Sequence, residues 1–315
     1  MPTRFWFHLY VCCFTLITLI KICKGDLPSS CPNDKMSKAN YLPPSLNGKA
    51  TKALVPPGQC QFTEDFVAVP LLEKIPVGKT SQVLRFGLPN TSSPLNLSTC
   101  ACILAKAEID GETVIRPYTP ISTNDLVGCF DLLVKDYGST AKMSKHLCQD
   151  LKVGDTVEFK HIAFNVKIQA PFKPKKICML VGGTGITPMI QALHAILGDE
   201  KDETEVVMLY GSKVSDDILG KELVDSWALE HKSKFQVVHI LSHESDDSEW
   251  TGSRGYIDSE KIKMYLPDPS VGEDLLIFVC GPPPMYDALC GPRGDKELTG
   301  LLADMGYNKE QVYKF

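Results

Sequence analysis

The chain has 315 residues, 43% hydrophobic and 23% charged, which is length for two ordinary domains and a composition that excludes a disordered chain. A formal net charge of -5 and a pI near 5.8 give no basic field, so nucleic acid is excluded as a partner on electrostatic grounds.

In chain order, Met1 to Arg4 is a short basic start, Phe5 to Ile20 is an apolar run of 16 residues interrupted by His8, and Lys21 and Lys24 close it. The run is short of the roughly 20 residues that a span needs. Residues 1–25 fit a cleaved signal peptide, with Cys23 and Gly25 as the small residues before a cut, or an uncleaved anchor. Basic residues on both flanks leave its orientation open. Cys12, Cys13 and Cys23 lie in or beside the run, and the other nine of the 12 cysteines, an odd number, show no CxxC or Cys/His metal spacing. A reducing compartment and no metal site are expected. The sequons at Asn90 and Asn96 point weakly the other way. Residues 26–58, rich in Pro, Ser, Asn and Lys without hydrophobic period, read as a flexible tether.

From 59 to 172 the runs FVAVPLLEKI, SQVLRFGL, TCACILAKAEI, CFDLLVKDY and DTVEFKHI, separated by Gly, Pro, Asn and Asp, predict an antiparallel barrel. From 173 to 315 strands alternate with helices. KKICMLVGG, TEVVMLYGS, FQVVHIL and DLLIFVC read as buried strands, TPMIQALHAIL and DDILGKELVDSWALEH as helices, which predicts a parallel α/β sheet with its ligand site at the strands' C-terminal ends.

The first of these strands runs into VGGTGITPM, residues 181–189. Gly182, Gly183 and Gly185 would let the backbone approach a pyrophosphate at a helix start, with Thr187 as N-cap and Pro188 at the first helical position. Taken alone such a turn is as well explained by tight packing. Three further strings accompany it: RPYTP at Arg116 to Pro120, KMS at Lys142 to Ser144, and CGPPPM at Cys280 to Met285. Singly these read as a surface arginine, a strand aromatic, a helix start and a proline turn. Their joint order, barrel motifs first and α/β motifs second, is far harder to obtain by chance.

In that order, over residues 60 to 315 and including the terminal VYKF, the chain resembles the NADH–cytochrome b5 reductases, within the wider ferredoxin reductase-like flavoproteins. The resemblance implies an FAD-binding antiparallel barrel followed by a parallel-sheet nicotinamide-dinucleotide domain. It places Arg116 on the FAD pyrophosphate, next to Pro117, with Tyr118 stacked on the isoalloxazine and Thr119 at its N5 and O4 edge. Lys142, Met143 and Ser144 would hold the pyrophosphate through backbone amides and the serine hydroxyl, and Lys135 and Tyr137 would flank the flavin. Gly182, Gly183, Thr184 and Gly185 would admit the dinucleotide, and Thr187 would order flavin against nicotinamide. Gly281, Pro282, Pro283 and Met285 would form the far wall, with Cys280 near the nicotinamide C4. A covalent role for Cys280 is disfavoured because no His is paired with it.

The implied reaction is hydride transfer from NADH to FAD and single-electron delivery to cytochrome b5 or a similar haem protein. A reductase acting on a ferric chelate or quinone, or a non-catalytic membrane-tethered interaction protein, are the alternatives. The expected site is the endoplasmic reticulum membrane with the catalytic body in the cytosol, the mitochondrial outer membrane being the alternative. Lys173, Lys175 and Lys176 could meet an acidic cytochrome. The oligomeric state is left open.

Two departures from the family pattern stand out. Ser242 takes the place of an aspartate that recognises the adenosine ribose, although Glu244, Asp246, Asp247 and Glu249 follow it and would repel a 2′-phosphate. The stretch HIAFNVKI, 161–168, replaces a glycine-containing one at the flavin edge.

Overall fold

The computed structural model describes residues 42–162 and 168–315. The expected N-terminal segment, and the centre of HIAFNVKI at 163–167, lie outside the described residues. Among the described residues no helix is long and apolar enough to cross a membrane, and no group of His, Cys, Asp or Glu is arranged to hold a metal ion.

A short helix α1 (Pro44–Asn47) precedes β1 (Val67–Pro76), β2 (Ser81–Gly87), β3 (Ile103–Ile109), β4 (Glu112–Tyr118), β5 (Cys129–Lys135), α2 (Lys142–Lys145) and β6 (Thr156–His161). The six strands pair antiparallel in the order β4-β3-β6-β1-β2-β5. They wrap a core in which Phe62, Phe86, Phe130 and Phe159 meet at centroid distances of 4.9 to 5.9 Å. Alternation explains the half-buried strands, and β5 is the exception, buried from Phe130 to Val134. Its Phe130, Leu132 and Val134 enter the barrel core, while Leu133 joins Ile75, Val83 and Ile121 in a second cluster shared with the parallel sheet's helices. On that same face Asp131 is fully buried and takes a two-pronged bond from Arg85, Nε to Oδ1 at 2.8 Å and Nη2 to Oδ2 at 2.9 Å.

The second half comprises β7 (Lys176–Gly182), α3 (Ile186–Leu197), β8 (Glu205–Ser212), α4 (Lys221–Glu230), β9 (Phe235–Leu241), β10 (Ser253–Arg254), α5 (Ser259–Tyr265), β11 (Leu275–Cys280), α6 (Pro283–Leu289), α7 (Gly300–Asp304) and β12 (Val312–Lys314). Its sheet is parallel, ordered β10-β9-β8-β7-β11-β12. Helices cover both faces, which is why β7 and β11 read as unbroken apolar runs. Strand order reverses between β7 and β11, and a ligand crevice is expected outside their carboxyl ends.

The strands differ from the sequence reading where apolar alternation is weak. β4 buries only Val114 and carries Pro117, tolerated because β4 is an edge. The segment DDIL before α4 is a separate short turn, cut off by Gly220 at φ 63°. The tether expected over 26–58 does not hold for its described part. Leu46 is buried, the Ser45 hydroxyl bonds Asp131 at 2.7 Å, Trp227 Nε1 donates to the Gly48 carbonyl at 2.9 Å, and Thr51 N–H donates to His194 Nδ1 at 3.0 Å. These hydrogen bonds, together with Leu46 in the core and Ala50 and Leu54 packed against it, dock this strap on both halves.

Candidate functional site

The carboxyl ends of β7 and β11 open into a cleft of about 1020 Å³ that the barrel closes from the other side. Its walls bring together Pro117, Tyr118, Thr119, Lys135, Tyr137 and Ser144 from the first half with Gly182, Gly183, Thr184, Gly185 and Thr187 from the second. Cys280, Gly281, Pro282 and Met285 complete it. A volume at the upper end of single-ligand pockets, shared by two sheets, suits two ring systems meeting end to end.

Both halves are pinned at this cleft. Gln191 of α3 donates to the carbonyls of Pro120 and Ser122 at 2.7 and 2.9 Å, holding the turn after Tyr118 against the helix that follows the glycines. Lys135 pairs with Asp217 at 2.7 Å across the halves, and the Tyr137 and Thr184 hydroxyls lie 3.4 Å apart. Burial pushes the Tyr118 phenol well above its usual value, so it stands in the cleft wall as a neutral ring.

The glycine turn works differently from the expectation. α3 begins at Ile186 with Gly185 as its N-cap, Thr187 is the second helical residue and Pro188 the third. Thr187 Oγ1 donates to the Thr184 carbonyl at 3.3 Å rather than accepting from the helix start, so it is not a cap. Pro188 is still tolerated, because the first-turn amide it lacks has no intrahelical acceptor. The Ile186 N–H is taken by the Gly183 and Thr184 carbonyls and Pro188 has none, so the donors that suit an anion are those of the uncapped turn Gly183–Gly185 before the helix. Of the three glycines, two serve packing: a Cβ at Gly185 would lie 2.2 Å from the Cys280 carbonyl oxygen, and one at Gly182 would lie 2.7 Å from Met285 Sδ. Gly183 alone, at φ +52°, has open space where its side chain would be. Gly281 is packed in the same way: a Cβ there would lie 2.5 Å from Met285 Sδ. The absent side chains therefore mainly let the β7 turn and the β11 turn touch.

Other residues fall outside the cleft lining. Arg116 is exposed on β4, Nη1 donating to the Ile115 carbonyl at 2.7 Å. Lys142 pairs with Glu112 at 2.5 Å, and the Met143 side chain fills the barrel core, so of KMS only Ser144 and the backbone can serve a ligand. Pro283 is exposed and opens α6. The acidic residues expected to repel a 2′-phosphate are not in the lining. Glu244 instead accepts from Ser215 N at 2.6 Å and Ser215 Oγ at 3.2 Å. The sequence reading missed Ser212, Lys213, His243, Tyr256, Arg293 and Phe315, all in the lining. Residues just after β8 and β9 could have been found from the strand ends alone. Phe315 could not, because it reaches the cleft through the pairing of β12 with β11 and the bond from Tyr286 Oη to its carbonyl at 2.6 Å.

Comparison with known proteins matches two family models to the chain. A family model described as an oxidoreductase FAD-binding domain matches residues 68–165, and one described as an oxidoreductase NAD-binding domain matches 179–291. NADH-cytochrome b5 reductase 2 of Scheffersomyces stipitis is 39% identical over 257 residues, 80% of this chain and 84% of that protein. The protein of the same name from Candida albicans is 38% identical over 261 residues, 81% of this chain and 85% of its own. Among solved structures, the cytochrome b5 reductase domain of Ulva prolifera nitrate reductase superposes with a TM-score of 0.70 at 30% identity, covering 84% of this chain and all of that domain.

Proposed function

The chain belongs to the NADH-cytochrome b5 reductase family, and from that premise we infer that it is an FAD-dependent oxidoreductase that takes a hydride from NADH and passes electrons singly to cytochrome b5. The observation that carries this reading is the single cleft in which Tyr118 and Thr119 of the barrel face the Gly182–Thr187 turn and Cys280.

The residues fit both cofactors. The uncapped turn Gly183–Gly185 and the open space beside Gly183 suit a pyrophosphate, and the neutral Tyr118 ring suits stacking. When bound, FAD supplies the two-electron acceptor that releases electrons one at a time. The protein's own contribution is alignment. Tyr118 and Thr119 hold the flavin ring, Ser144 and the α2 backbone its phosphates, and Arg116 adds a planar fork of donors once it leaves the Ile115 carbonyl. Thr187 and Cys280 set the nicotinamide, their spacing fixed by the contact of Gly185 with the Cys280 carbonyl. Gln191, by tying the Pro120 turn to α3, fixes the distance between the two ring sites. Lys135 and Tyr137, engaged with Asp217 and Thr184, close the cleft's flank.

The test is anaerobic mixing of the purified yellow protein with NADH, followed by oxidised cytochrome b5. Flavin bleaching and then stoichiometric haem reduction are expected; a colourless protein, or one that NADH leaves oxidised, ends the reading.

We propose further that residues 1–25 anchor the protein at the endoplasmic reticulum membrane with the catalytic body in the cytosol. The apolar run Phe5–Ile20 between basic flanks and the odd cysteine count support it. Membrane sedimentation of the full chain with protease-accessible catalytic residues is the expected result. Release by alkaline washing, or protection of the body, overturns it.

A further inference from the structure

Parallel nucleotide-binding sheets tell the two nicotinamide dinucleotides apart at the adenosine ribose. An acidic side chain beyond the glycine turn accepts from the 2′-hydroxyl, whereas a cationic one nearby receives the 2′-phosphate. Here the strand beside the glycine-turn strand is β8, which ends at Ser212 and is followed by Lys213. One strand further out, β9 ends at Leu241 and is followed by Ser242 and His243. All four residues line the cleft.

No acid takes the discriminating place. The one carboxylate residue in the lining is Asp217, already paired with Lys135 at 2.7 Å. Glu244 is turned to Ser215, and Asp246, Asp247 and Glu249 lie outside the lining. Lys213 is exposed and forms no ion pair among the described residues. The strand ends are held together: His243 N donates to the Lys213 carbonyl at 2.8 Å, and Ser242 Oγ bonds His243 Nδ1 at 2.7 Å. Ser212 is buried and its side chain is turned inward to the Tyr210 hydroxyl, so the donors that the strand ends offer the cleft are those of Lys213, Ser242 and His243.

We propose that Lys213, Ser242 and His243, at the ends of β8 and β9, form a phosphomonoester subsite, and that the chain therefore accepts NADPH as well as NADH. The proposal rests on the reductase reading for the donor's role, but the subsite is a binding site in its own right. The chemistry at the nicotinamide is unchanged: a hydride, one proton with two electrons, leaves C4, and NADP+ rather than NAD+ remains. Discrimination is by binding alone. Because Lys213 is exposed, its attraction for the added charge is screened by salt, whose Debye length is about 8 Å at physiological ionic strength.

The test has a binding arm and a kinetic arm. Calorimetric titration of the full-length protein with adenosine 2′,5′-bisphosphate and with adenosine 5′-monophosphate should show the bisphosphate binding at least about tenfold tighter at low salt, the margin shrinking as salt rises, where tenfold is about 1.4 kcal/mol. In stopped-flow reduction the kcat/KM for NADPH should lie within about tenfold of that for NADH. Lys213→Ala and Ser242→Asp should each lower the NADPH-to-NADH ratio by about tenfold, while Lys232→Ala, in the turn before β9, leaves both donors unaffected. Equal affinity for the two adenosine probes, or a donor ratio that neither variant moves, overturns the subsite. Failure of NADH itself to bleach the flavin would strike the reductase reading instead, so the two failures are distinguishable.

Discussion

The two halves of the cleft are made in different ways. On the barrel side the cleft is lined by side chains at the end of an edge strand and on a four-residue helix, Tyr118, Thr119 and Ser144, while Arg116 lies exposed outside the lining. On the parallel-sheet side the wall is main chain pressed against main chain, Gly182 and Gly185 against Cys280 and the turn to Met285. A site made of side chains can lose one contact and keep its shape. A site made of backbone loses its shape when one methyl group is added.

Adding that methyl is the hardest blow to the comparison. Gly185→Ala should lower stability by about 3 kcal/mol and remove NADH-driven flavin reduction, because its Cβ would stand 2.2 Å from the Cys280 carbonyl oxygen. Gly183→Ala, strained only by φ +52°, should cost about 1 kcal/mol. Urea unfolding of the two variants measures the gap, and equal losses would show that the turn contact does not set the shape.

Acid should strike where the strap docks. Burial holds His194 down at about 4 from 6.5, and as a neutral ring it accepts the Thr51 N–H at 3.0 Å. The unfolded chain then binds the proton that the folded chain refuses. Stability is full above about pH 6.5 and falls as pH drops toward 4, by about 3 kcal/mol from this group. His194→Gln should flatten that stretch of the stability profile; an unchanged slope would assign the acid sensitivity elsewhere.

On the barrel side, Arg116→Ala should weaken FAD retention by about 1.5–3 kcal/mol through one lost charge-assisted contact, without altering the melting of the apoprotein. Flavin content after dilution and gel filtration reads it, and undiminished occupancy contradicts the assignment. Cys280→Ala should slow flavin bleaching by NADH, by up to about a hundredfold, through a misplaced ring while FAD stays bound. Complete loss with flavin retained would give the thiol a chemical role. The smallest effect is expected at Lys135 and Asp217, which join the halves at 2.7 Å with both side chains mostly covered. A double-mutant cycle with Lys135→Met and Asp217→Asn should give a coupling of about 1 kcal/mol or less. A coupling of several kcal/mol would mean that this pair, rather than backbone contact and Gln191, holds the halves together.

The sequence by itself determined the two fold classes and the motif-bearing turns that border the cleft. Barrel alternation and unbroken apolar runs follow from burial on one face or two, and RPYTP, VGGTGITPM and CGPPPM mark the loops at strand ends. It did not show β4, whose burial is confined to Val114, nor that residues 42–58 are docked, by hydrogen bonds and a few apolar side chains without a regular period. Only the tertiary structure decided what each glycine is for, since Gly183 and Gly185 are identical in sequence and differ only in what stands opposite. It likewise removed the acids after Ser242 from the cleft and put Lys213 there: nearness along the chain fixes which residues follow a strand, but the turn's own hydrogen bonds, here Glu244 to Ser215, fix which of them face the ligand.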